Sequence, residues 1–389
     1  MGETAPAAKD LSFSLLEYRQ RLNALQAALV ESDLDALVVT TPENLLYMTG
    51  YRTPGYYAYQ CAVITATADP ILVTRHFEAE NVRRYSWVDA VIDITDDLDP
   101  LDATGQVLVD LGVARGRVGV ELGGWFLTGR QLNTLTGRLP DVDFVDGGDL
   151  IEQLRLIKTG AEIEFIRAAC RVAEAGMEAS LNVIDVGVSE ATVAGAAMTG
   201  IVEAGGEYWS LPPFVCSGPR TGIPHATWSD RRIERGDVVY LELPGVVQRY
   251  GAGLMRSAVL GKPSSKAQGL AAVSLDGLEA AIEAIAPGVR ASAVDEACRT
   301  VVDAGGYGAG FRHRTGYSIG TNFPPDWGEG HICHLKAGDD TVLTPGMVFH
   351  LVPLIFAGAD LGIGFSETVM VTDSGCEVLT RFPRELLIL

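Results

Sequence analysis

The stretch that decides the fold is "GMEASLNVIDVGVSEATVAGAAMTGIVEAGG", residues 176–206, because the chain contains its pattern twice. Residues 277–306, "GLEAAIEAIAPGVRASAVDEACRTVVDAGG", repeat the order of a helix, a glycine, an alanine-rich helix and a closing Ala-Gly-Gly. The turn glycines, Gly187 and Gly288, stand at the same offset in the two copies. Self-similarity over a helix pair of this length indicates an internal duplication.

The strand that follows each helix pair is repeated as well. "GDVVYLELP" from Gly236 aligns with "GMVFHLVPL" from Gly346, and in this register Glu242 is equivalent to Val352. The paired strands argue against a chance similarity between alanine-rich helices. We therefore expect two similar α+β halves that pack about a pseudo-twofold axis, with a cleft where their sheets meet.

The chain before the duplication has a different pattern. Apolar residues at helical spacing in residues 14–31 are followed by strand-like runs such as "DALVVTT" and by further helical stretches, an alternation typical of an α/β domain. A long helical pattern then begins after Thr159, the expected N-cap, with Glu162 at the capping-box position. The sequence therefore predicts an N-terminal α/β domain, residues 1–155, and an α+β C-terminal domain, residues 156–389.

Composition restricts the classes of partner. The 389 residues include 30 basic and 50 acidic side chains, for a formal net charge of −20. Phosphate backbones and anionic membranes bind basic patches, so this balance argues against nucleic acid or a membrane as partner and favours a small cationic or zwitterionic ligand. The N-terminal "MGETAPAAKD" lacks the apolar core of a signal peptide, and we expect a cytoplasmic protein.

Four further stretches resemble the creatinase/prolidase/methionine-aminopeptidase superfamily, also called M24. They are "NLLYMTGY", "LRLIKTGAEIEFIRAA", "IPHATWSDRRIERGDVVYLELPG" and "LTPGMVFHLVPL", and the resemblance covers nearly the whole chain. It implies a creatinase-like N-terminal domain and a duplicated C-terminal "pita-bread" domain, and it implies a homodimer.

The resemblance fails at the metal ligands. Peptidases of this superfamily bind two divalent metals through two Asp, one His and two Glu. Matched by spacing, those ligands fall on Glu242, Gly253, Tyr317, Val352 and Ser366, with Glu367 beside the last. Glycine and valine have no metal-binding side chain, and a two-metal site needs bridging carboxylates. We therefore expect neither a metal nor another cofactor.

A metal-free branch of the superfamily is known in creatinase, which hydrolyses a C–N bond with a His and two Glu. Ectoine hydrolases form a second such branch, and they resemble this chain in "FVCSGPRTGIPHATWSD", "YLELPGVVQRY" and "GYSIGTNFPPDWGE". The resemblance implies a metal-independent hydrolase of a C–N bond in a small amidine-like or guanidine-like solute, with ectoine-type ring opening favoured. Three alternatives stay open: another creatinase-like amidinohydrolase or biosynthetic amide hydrolase, a non-catalytic binding module, and a single-metal Xaa-Pro peptidase.

Three residues are candidates for catalysis. His225 matches the acid–base histidine of creatinase and suits a proton relay, although a lone histidine is often structural. Glu242 stands alone in an apolar strand. Three roles stay open for it: a nucleophile, a general base, or an edge-strand residue that faces solvent. Glu367 is the candidate second carboxylate, but a one-residue shift on a strand turns a side chain to the other face. A bulge in the glycine-rich lead-in would restore it.

Five more residues are candidates for substrate binding. Tyr317 replaces a metal ligand and offers a hydroxyl. Arg256 could hold a substrate carboxylate, although the matching arginine of family peptidases is largely structural. Asp326 and Trp327 combine an anion and an aromatic face, which suits a delocalised cation, unless they only form a turn with a packed ring. Tyr250, at the end of "YLELPGVVQRY", completes the set.

Overall fold

The computed structural model describes residues 9–326 and 328–389, so the predicted ligand-binding residue Trp327 lies outside the described residues. The chain forms two compact units, Met1–Arg155 and Leu156–Leu389. Among the described residues, no helix is both long enough and apolar enough to cross a lipid bilayer.

The N-terminal unit alternates helices and strands. Its helices are α1 Leu15–Glu31, α2 Pro42–Thr49, α3 Ala79–Tyr85, α4 Pro100–Asp110, α5 Gly129–Arg138 and α6 Leu150–Leu156. Its strands are β1 Ala36–Val39, β2 Cys61–Thr65, β3 Ile71–Arg75, β4 Val91–Ile94, β5 Arg117–Val120 and β6 Asp143–Asp146.

These strands form one mixed sheet in the order β4-β3-β2-β1-β5-β6. β2 is antiparallel to both of its neighbours, whereas the β3–β4, β1–β5 and β5–β6 pairs are parallel. The central strand β1 reads "ALVV" and is buried along its whole length. A continuous apolar run of this kind is typical of a strand that is covered on both faces, as the α/β pattern of the sequence predicted.

The C-terminal unit contains the two helix pairs and most of the strands. Its helices are α7 Gly160–Leu181, α8 Glu190–Glu203, α9 Ser265–Ala284 and α10 Ala291–Ala304. Its strands are β7 Phe214–Ser217, β8 Val238–Val247, β9 Tyr250–Val259, β10 Gly316–Ser318, β11 His334–Leu335, β12 Val348–Leu351, β13 Leu354–Phe356, β14 Gly362–Gly364, β15 Glu367–Thr372, β16 Gly375–Val378 and β17 Leu387–Ile388.

The start of α7 confirms the predicted capping box. The Thr159 hydroxyl accepts a hydrogen bond from the Glu162 backbone N–H, and the Glu162 carboxylate accepts one from the Thr159 N–H at 2.8 Å. Two of the backbone donors that a helix start leaves open are satisfied in this way.

The internal duplication extends to single hydrogen bonds. In the first copy, the N–H of Gly187 donates to the carbonyl of Ile233 at 2.8 Å, and in the second, the N–H of Gly288 donates to Leu343 at 2.9 Å. Both glycines have a positive φ, +83° and +85°, which a side chain would disfavour at this turn. Equivalent residues thus make equivalent turns in the two halves.

Each half contributes a sheet. The first has the strand order β17-β9-β8-β7, the second has β11-β10-β12-β15-β16, and a short β13-β14 hairpin accompanies them. The sheets are joined near the middle of β9, where Met255 exchanges backbone and side-chain hydrogen bonds with Ser366 at 3.1 and 2.6 Å. This junction places the inner residues of β8, β9 and β12 around a common space.

Candidate active site

A cavity of about 400 Å³ opens between the two halves of the C-terminal unit. This volume suits a small organic ligand. Its walls are mostly apolar and carry a few polar and charged groups. The lining residues are Leu211, Phe214, Pro224, His225, Tyr240, Glu242, Met255, Arg312, His313, Arg314, Tyr317, Asp326, Val352, Leu354 and Phe356.

Glu242 lies in the wall formed by three neighbouring strands. Phe214 on β7, Glu242 on β8 and Met255 on β9 stand in register across the sheet, and all three line the cavity. Tyr240, two residues before Glu242, faces the same side because side chains alternate along a strand. Its hydroxyl donates a hydrogen bond to Glu242 Oε2. Glu242 is therefore a buried carboxylate between apolar neighbours, held by one phenol.

Burial raises the pKa of Glu242 to about 7, and the hydrogen bond from Tyr240 opposes this rise only in part. Desolvation disfavours the charged form of an acid, and this accounts for the direction of the rise. The group therefore changes its protonation state near neutral pH, which suits a nucleophile or a general base.

Tyr317 is tied to a buried histidine. Its hydroxyl lies 3.0 Å from His350 Nδ1, and His350 Nε2 lies 2.8 Å from the hydroxyl oxygen of Ser366. Burial lowers the pKa of His350 to about 3, so the ring is neutral and pairs one donor nitrogen with one acceptor. A continuous hydrogen-bonded chain thus runs from the cavity wall at Tyr317 into the core.

The ring of His350 fills the space beside Gly253. A Cβ atom built on Gly253 would lie 2.4 Å from His350 Cε1, which is far inside van der Waals contact. In the register of the duplication, His350 on β12 is equivalent to Tyr240 on β8. The two halves therefore direct an aromatic polar side chain inward at matching positions, and the second one occupies the place that a residue larger than glycine would need.

Two of the predicted polar residues line the cavity near its exposed side. His225 has a φ of +55°, a sparsely populated conformation for a residue with a side chain, and its ring packs on Phe214 with centroids 5.4 Å apart. Asp326 also lines the cavity and is exposed. The structure thus brings His225, Glu242, Tyr317 and Asp326 to one space.

Glu367 and Arg256, predicted for catalysis and carboxylate binding, pair with each other instead. Both side chains are buried, and Arg256 Nη2 donates to Glu367 Oε1 at 2.7 Å. Arg256 also donates to backbone carbonyls, among them those of Ser366 and Pro383. Neither residue lines the cavity. Glu367 is one residue away from the matched ligand position, and the regular pairing of β12 with β15 does not turn its side chain toward the cavity. The ion pair makes Glu367 and Arg256 part of the core.

Tyr250, also predicted to bind substrate, lies outside the cavity. It is fully buried at the start of β9, and its hydroxyl donates to Glu162 Oε1 at 2.8 Å. The phenol therefore supports the start of α7 and is not available to a ligand.

Four polar or charged lining residues were not predicted from the sequence: Tyr240, Arg312, His313 and Arg314. His313 Nδ1 donates to the carbonyl of Arg314 at 2.7 Å, and burial lowers the pKa of this histidine. The alternation of side chains along β8 was a usable signal for Tyr240, and the duplication was a second one. The other three precede β10 in a loop whose path no periodicity records.

The two units match separate family models. Residues 21–157 match the Creatinase/Prolidase N-terminal domain, and residues 164–373 match Metallopeptidase family M24. The chain belongs to family M24. The predicted fold, an α/β domain followed by the duplicated pita-bread domain of this hydrolase family, is thereby confirmed.

The M24 relatives include proteins named for two different reactions. The chain is 31% identical to an ectoine hydrolase from Halomonas elongata, over 97% of this chain and 98% of that protein. It is 28% identical to an Xaa-Pro dipeptidase from Pyrococcus furiosus, over 95% and 100%. Among solved structures, an Xaa-Pro dipeptidase from Bacillus anthracis superposes with a TM-score of 0.85 at 26% identity, covering 96% of this chain and 100% of the other.

The M24 metal pair does not fit the side chains of this site. The positions matched to the five ligands hold Glu242, Gly253, Tyr317, Val352 and Ser366. His350 occupies the volume into which a side chain at position 253 would project. Within residues 9–326 and 328–389, no group of three or more His, Cys, Asp or Glu side chains is arranged to hold a metal ion. A carboxylate, a phenol and a hydroxyl are too few donors for two hard cations.

Proposed function

We propose that this M24 protein is a metal-independent hydrolase that opens a C–N bond in a small amidine-like solute, with an ectoine-type ring as the first candidate. The observation that carries the proposal is Glu242, a buried carboxylate with a pKa of about 7 that faces a cavity of small-molecule size. Similarity to the ectoine hydrolase from Halomonas elongata over nearly the whole chain supports the substrate class.

Hydrolysis of an amidine adds one water molecule. The water oxygen becomes the oxygen of an amide at the former amidine carbon, one C–N bond breaks, and its nitrogen leaves as an amine that takes up a proton. Two roles of Glu242 satisfy this balance. The carboxylate either attacks the amidine carbon and is released by water, or it removes a proton from the attacking water.

The other lining groups divide the remaining tasks. His225 lies at the exposed side of the cavity, where it can give a proton to the departing nitrogen and recover it from solvent. Tyr317, held by His350, offers its hydroxyl to the oxygen or nitrogen that develops at the amidine carbon. Glu367, which the sequence suggested as a second catalytic carboxylate, has no part in this scheme.

The direct test is turnover by purified protein, with and without EDTA. Ectoine, 5-hydroxyectoine and creatine test the amidine and guanidine classes, and an Xaa-Pro dipeptide tests the peptidase class. We expect ring opening of ectoine that EDTA leaves unchanged. Glu242→Gln should lower kcat by about 1,000-fold, the scale of a lost nucleophile or base. The matched control is Glu234→Gln, at an exposed position before the same strand.

Two of the alternatives have their own results in this experiment. Cleavage of the dipeptide that EDTA abolishes would replace the proposal by a metal-dependent peptidase. Binding of ectoine without turnover, equal in the wild type and in Glu242→Gln, would indicate a binding module.

A further inference from the structure

The cavity contains two arginines, Arg312 and Arg314, in the segment that leads into β10. Among the residues that the structure describes, no carboxylate lies within ion-pair distance of either guanidinium, although most other arginines of this unit have such a partner. Arg312 is exposed and lies over the Phe356 ring at 5.4 Å, whereas Arg314 is half-buried.

Contact with an aromatic ring holds the Arg314 side chain in place, but no described carboxylate pairs with its positive charge. Its guanidinium carbon lies 4.5 Å from the centre of the Tyr317 ring, and its Nε is buried with no hydrogen-bond partner in the described part of the chain. Stacking on an aromatic face orients the guanidinium plane and leaves its in-plane N–H groups for an acceptor beyond the ring. A partly buried cation with an unsatisfied donor is unfavourable unless a ligand supplies the acceptor.

Arg256 shows what a structural arginine in this unit looks like. Its guanidinium donates to the Glu367 carboxylate and to the carbonyls of Met255, Ser366, Phe382 and Pro383. Within the part of the chain that the structure describes, Arg314 has no such set of acceptors, and it lines the cavity whereas Arg256 does not. Arg256 therefore stabilises the fold, whereas Arg314 is available to a ligand in the cavity.

Glu242 and Arg314 act on Tyr317 from the same cavity. After burial, the Glu242 charge raises the pKa of Tyr317, while the Arg314 charge lowers it. Burial raises the pKa of Glu242, and the hydrogen bond from Tyr240 opposes this rise. The carboxylate and the guanidinium therefore both act on Tyr317, and among the described residues no ion pair joins them.

We propose that Arg314 binds the carboxylate group of the substrate, so that the ligand is a zwitterion whose amidine is directed to Glu242. A guanidinium offers two parallel N–H groups to a carboxylate, which fixes orientation as well as affinity. This inference rests on the proposed function and narrows its substrate class, since an amidine without a carboxylate leaves Arg314 unsatisfied. It assigns to Arg314 the role for which the sequence suggested Arg256.

The test compares ectoine with its decarboxylated analogue, 2-methyl-1,4,5,6-tetrahydropyrimidine. We expect Arg314→Met to lower kcat/KM for ectoine by about 10- to 100-fold, mainly through KM, the scale of a lost charged hydrogen-bond pair. The same variant should change kcat/KM for the analogue by less than about threefold, because the analogue has no group for Arg314 to bind. Arg314→Lys should recover part of the loss, since it keeps the charge without the paired donors.

Arg290→Met is the matched control, because Arg290 is an exposed arginine of the same unit that pairs with Asp340. It should leave both substrates unaffected. Melting temperatures of all variants separate misfolding from a binding defect. Equal losses for ectoine and its analogue in a folded Arg314→Met protein, or no loss for either, would overturn the inference.

Failure of the proposed function gives a different result. If the wild type opens no amidine, thermal-shift titration with creatine, proline and their carboxamides tests Arg314 alone. Stabilisation by a carboxylate, reduced for its carboxamide and in Arg314→Met, supports this inference while rejecting the hydrolase. If the wild type binds none of these carboxylates, or binds the carboxamides equally well, the inference about Arg314 is overturned together with the proposed function.

Discussion

At the scale of single residues, the proposed chemistry depends on the protonation state of Glu242. Its carboxylate is desolvated between Phe214 and Met255 and receives one hydrogen bond, from Tyr240. This environment keeps the group protonated well above the usual range of a glutamate and lets it ionise near neutral pH. A cationic amidine beside it would favour the ionised form, so the substrate itself helps to prepare the base or nucleophile.

The pH dependence of catalysis follows from this pKa. Only the ionised form of Glu242 attacks or accepts a proton, and the raised pKa means that this form appears as pH rises through about 7. We expect kcat/KM for ectoine to increase about tenfold per pH unit below that value and to level off above it. Initial rates between pH 5 and 9 measure this. A flat profile down to pH 5 would assign an ordinary carboxylate pKa to the free enzyme.

The sequence led to Glu242, His225, Tyr317 and Asp326 because each is an unusual residue in a matched motif, and all four line the cavity. The structure places Glu367 and Arg256 outside the cavity; they are 111 residues apart and meet through the packing of β9 against β15. No local sequence pattern shows that two residues so far apart form an ion pair. Arg314 was not predicted either, because no periodic pattern shows that a side chain in the loop before β10 lines the cavity.

At the scale of elements, the Glu367–Arg256 pair is a junction between the two sheets. Glu367→Gln should lower the free energy of unfolding by about 3–5 kcal/mol, because it leaves the buried Arg256 guanidinium without its counter-charge. Its kcat/KM per folded molecule should stay within about tenfold of the wild type, in contrast to Glu242→Gln. Denaturant unfolding and active-site titration on the same samples measure the two effects.

The control for that variant is Glu377→Gln, which removes a partly exposed ion pair with Arg167 and should change the free energy of unfolding by less than about 1 kcal/mol. A Glu367→Gln protein of unchanged stability but with activity as low as Glu242→Gln would return Glu367 to the catalytic site.

The contact between β9 and β12 permits a second prediction. Gly253→Ala should destabilise the protein by about 1–3 kcal/mol, because the new methyl group overlaps the His350 ring. In a double-mutant cycle, His350→Ala should remove most of this penalty, with a coupling of at least about 1 kcal/mol. Gly195→Ala on α8, where a Cβ meets no neighbour within 4 Å, is the matched control. Additive effects at positions 253 and 350 would show that the strands adjust independently.

At the scale of the whole molecule, the fold was predictable and the specificity was not. The duplication is visible in residues 176–206 and 277–306, and the same backbone hydrogen bonds of Gly187 and Gly288 appear in the structure. Repeated patterns report on backbone architecture, which many residues determine together. The cavity depends on a few side chains from distant segments, and their mutual positions follow only from the packed molecule.

Metal independence is a prediction about the entire chain. We expect the melting temperature to change by less than about 1 °C after EDTA treatment or addition of 1 mM Mn²⁺ or Zn²⁺. A protein with a micromolar metal site would gain about 4 kcal/mol at 1 mM metal, since ligand binding to the native state stabilises it. A metal-dependent Xaa-Pro dipeptidase run in parallel is the positive control. A clear metal-induced rise in melting temperature for this protein would contradict the prediction.

The placement of His350 beside Gly253 also has an evolutionary meaning. A lineage that gained an acidic residue at position 253 alone would place the new side chain against the His350 imidazole and would lose stability. A lineage that first lost the imidazole would release Tyr317 and Ser366 from their hydrogen bonds without any new activity. Each of these two substitutions is therefore expected to be costly by itself, so a metal ligand at position 253 requires positions 253 and 350 to change together.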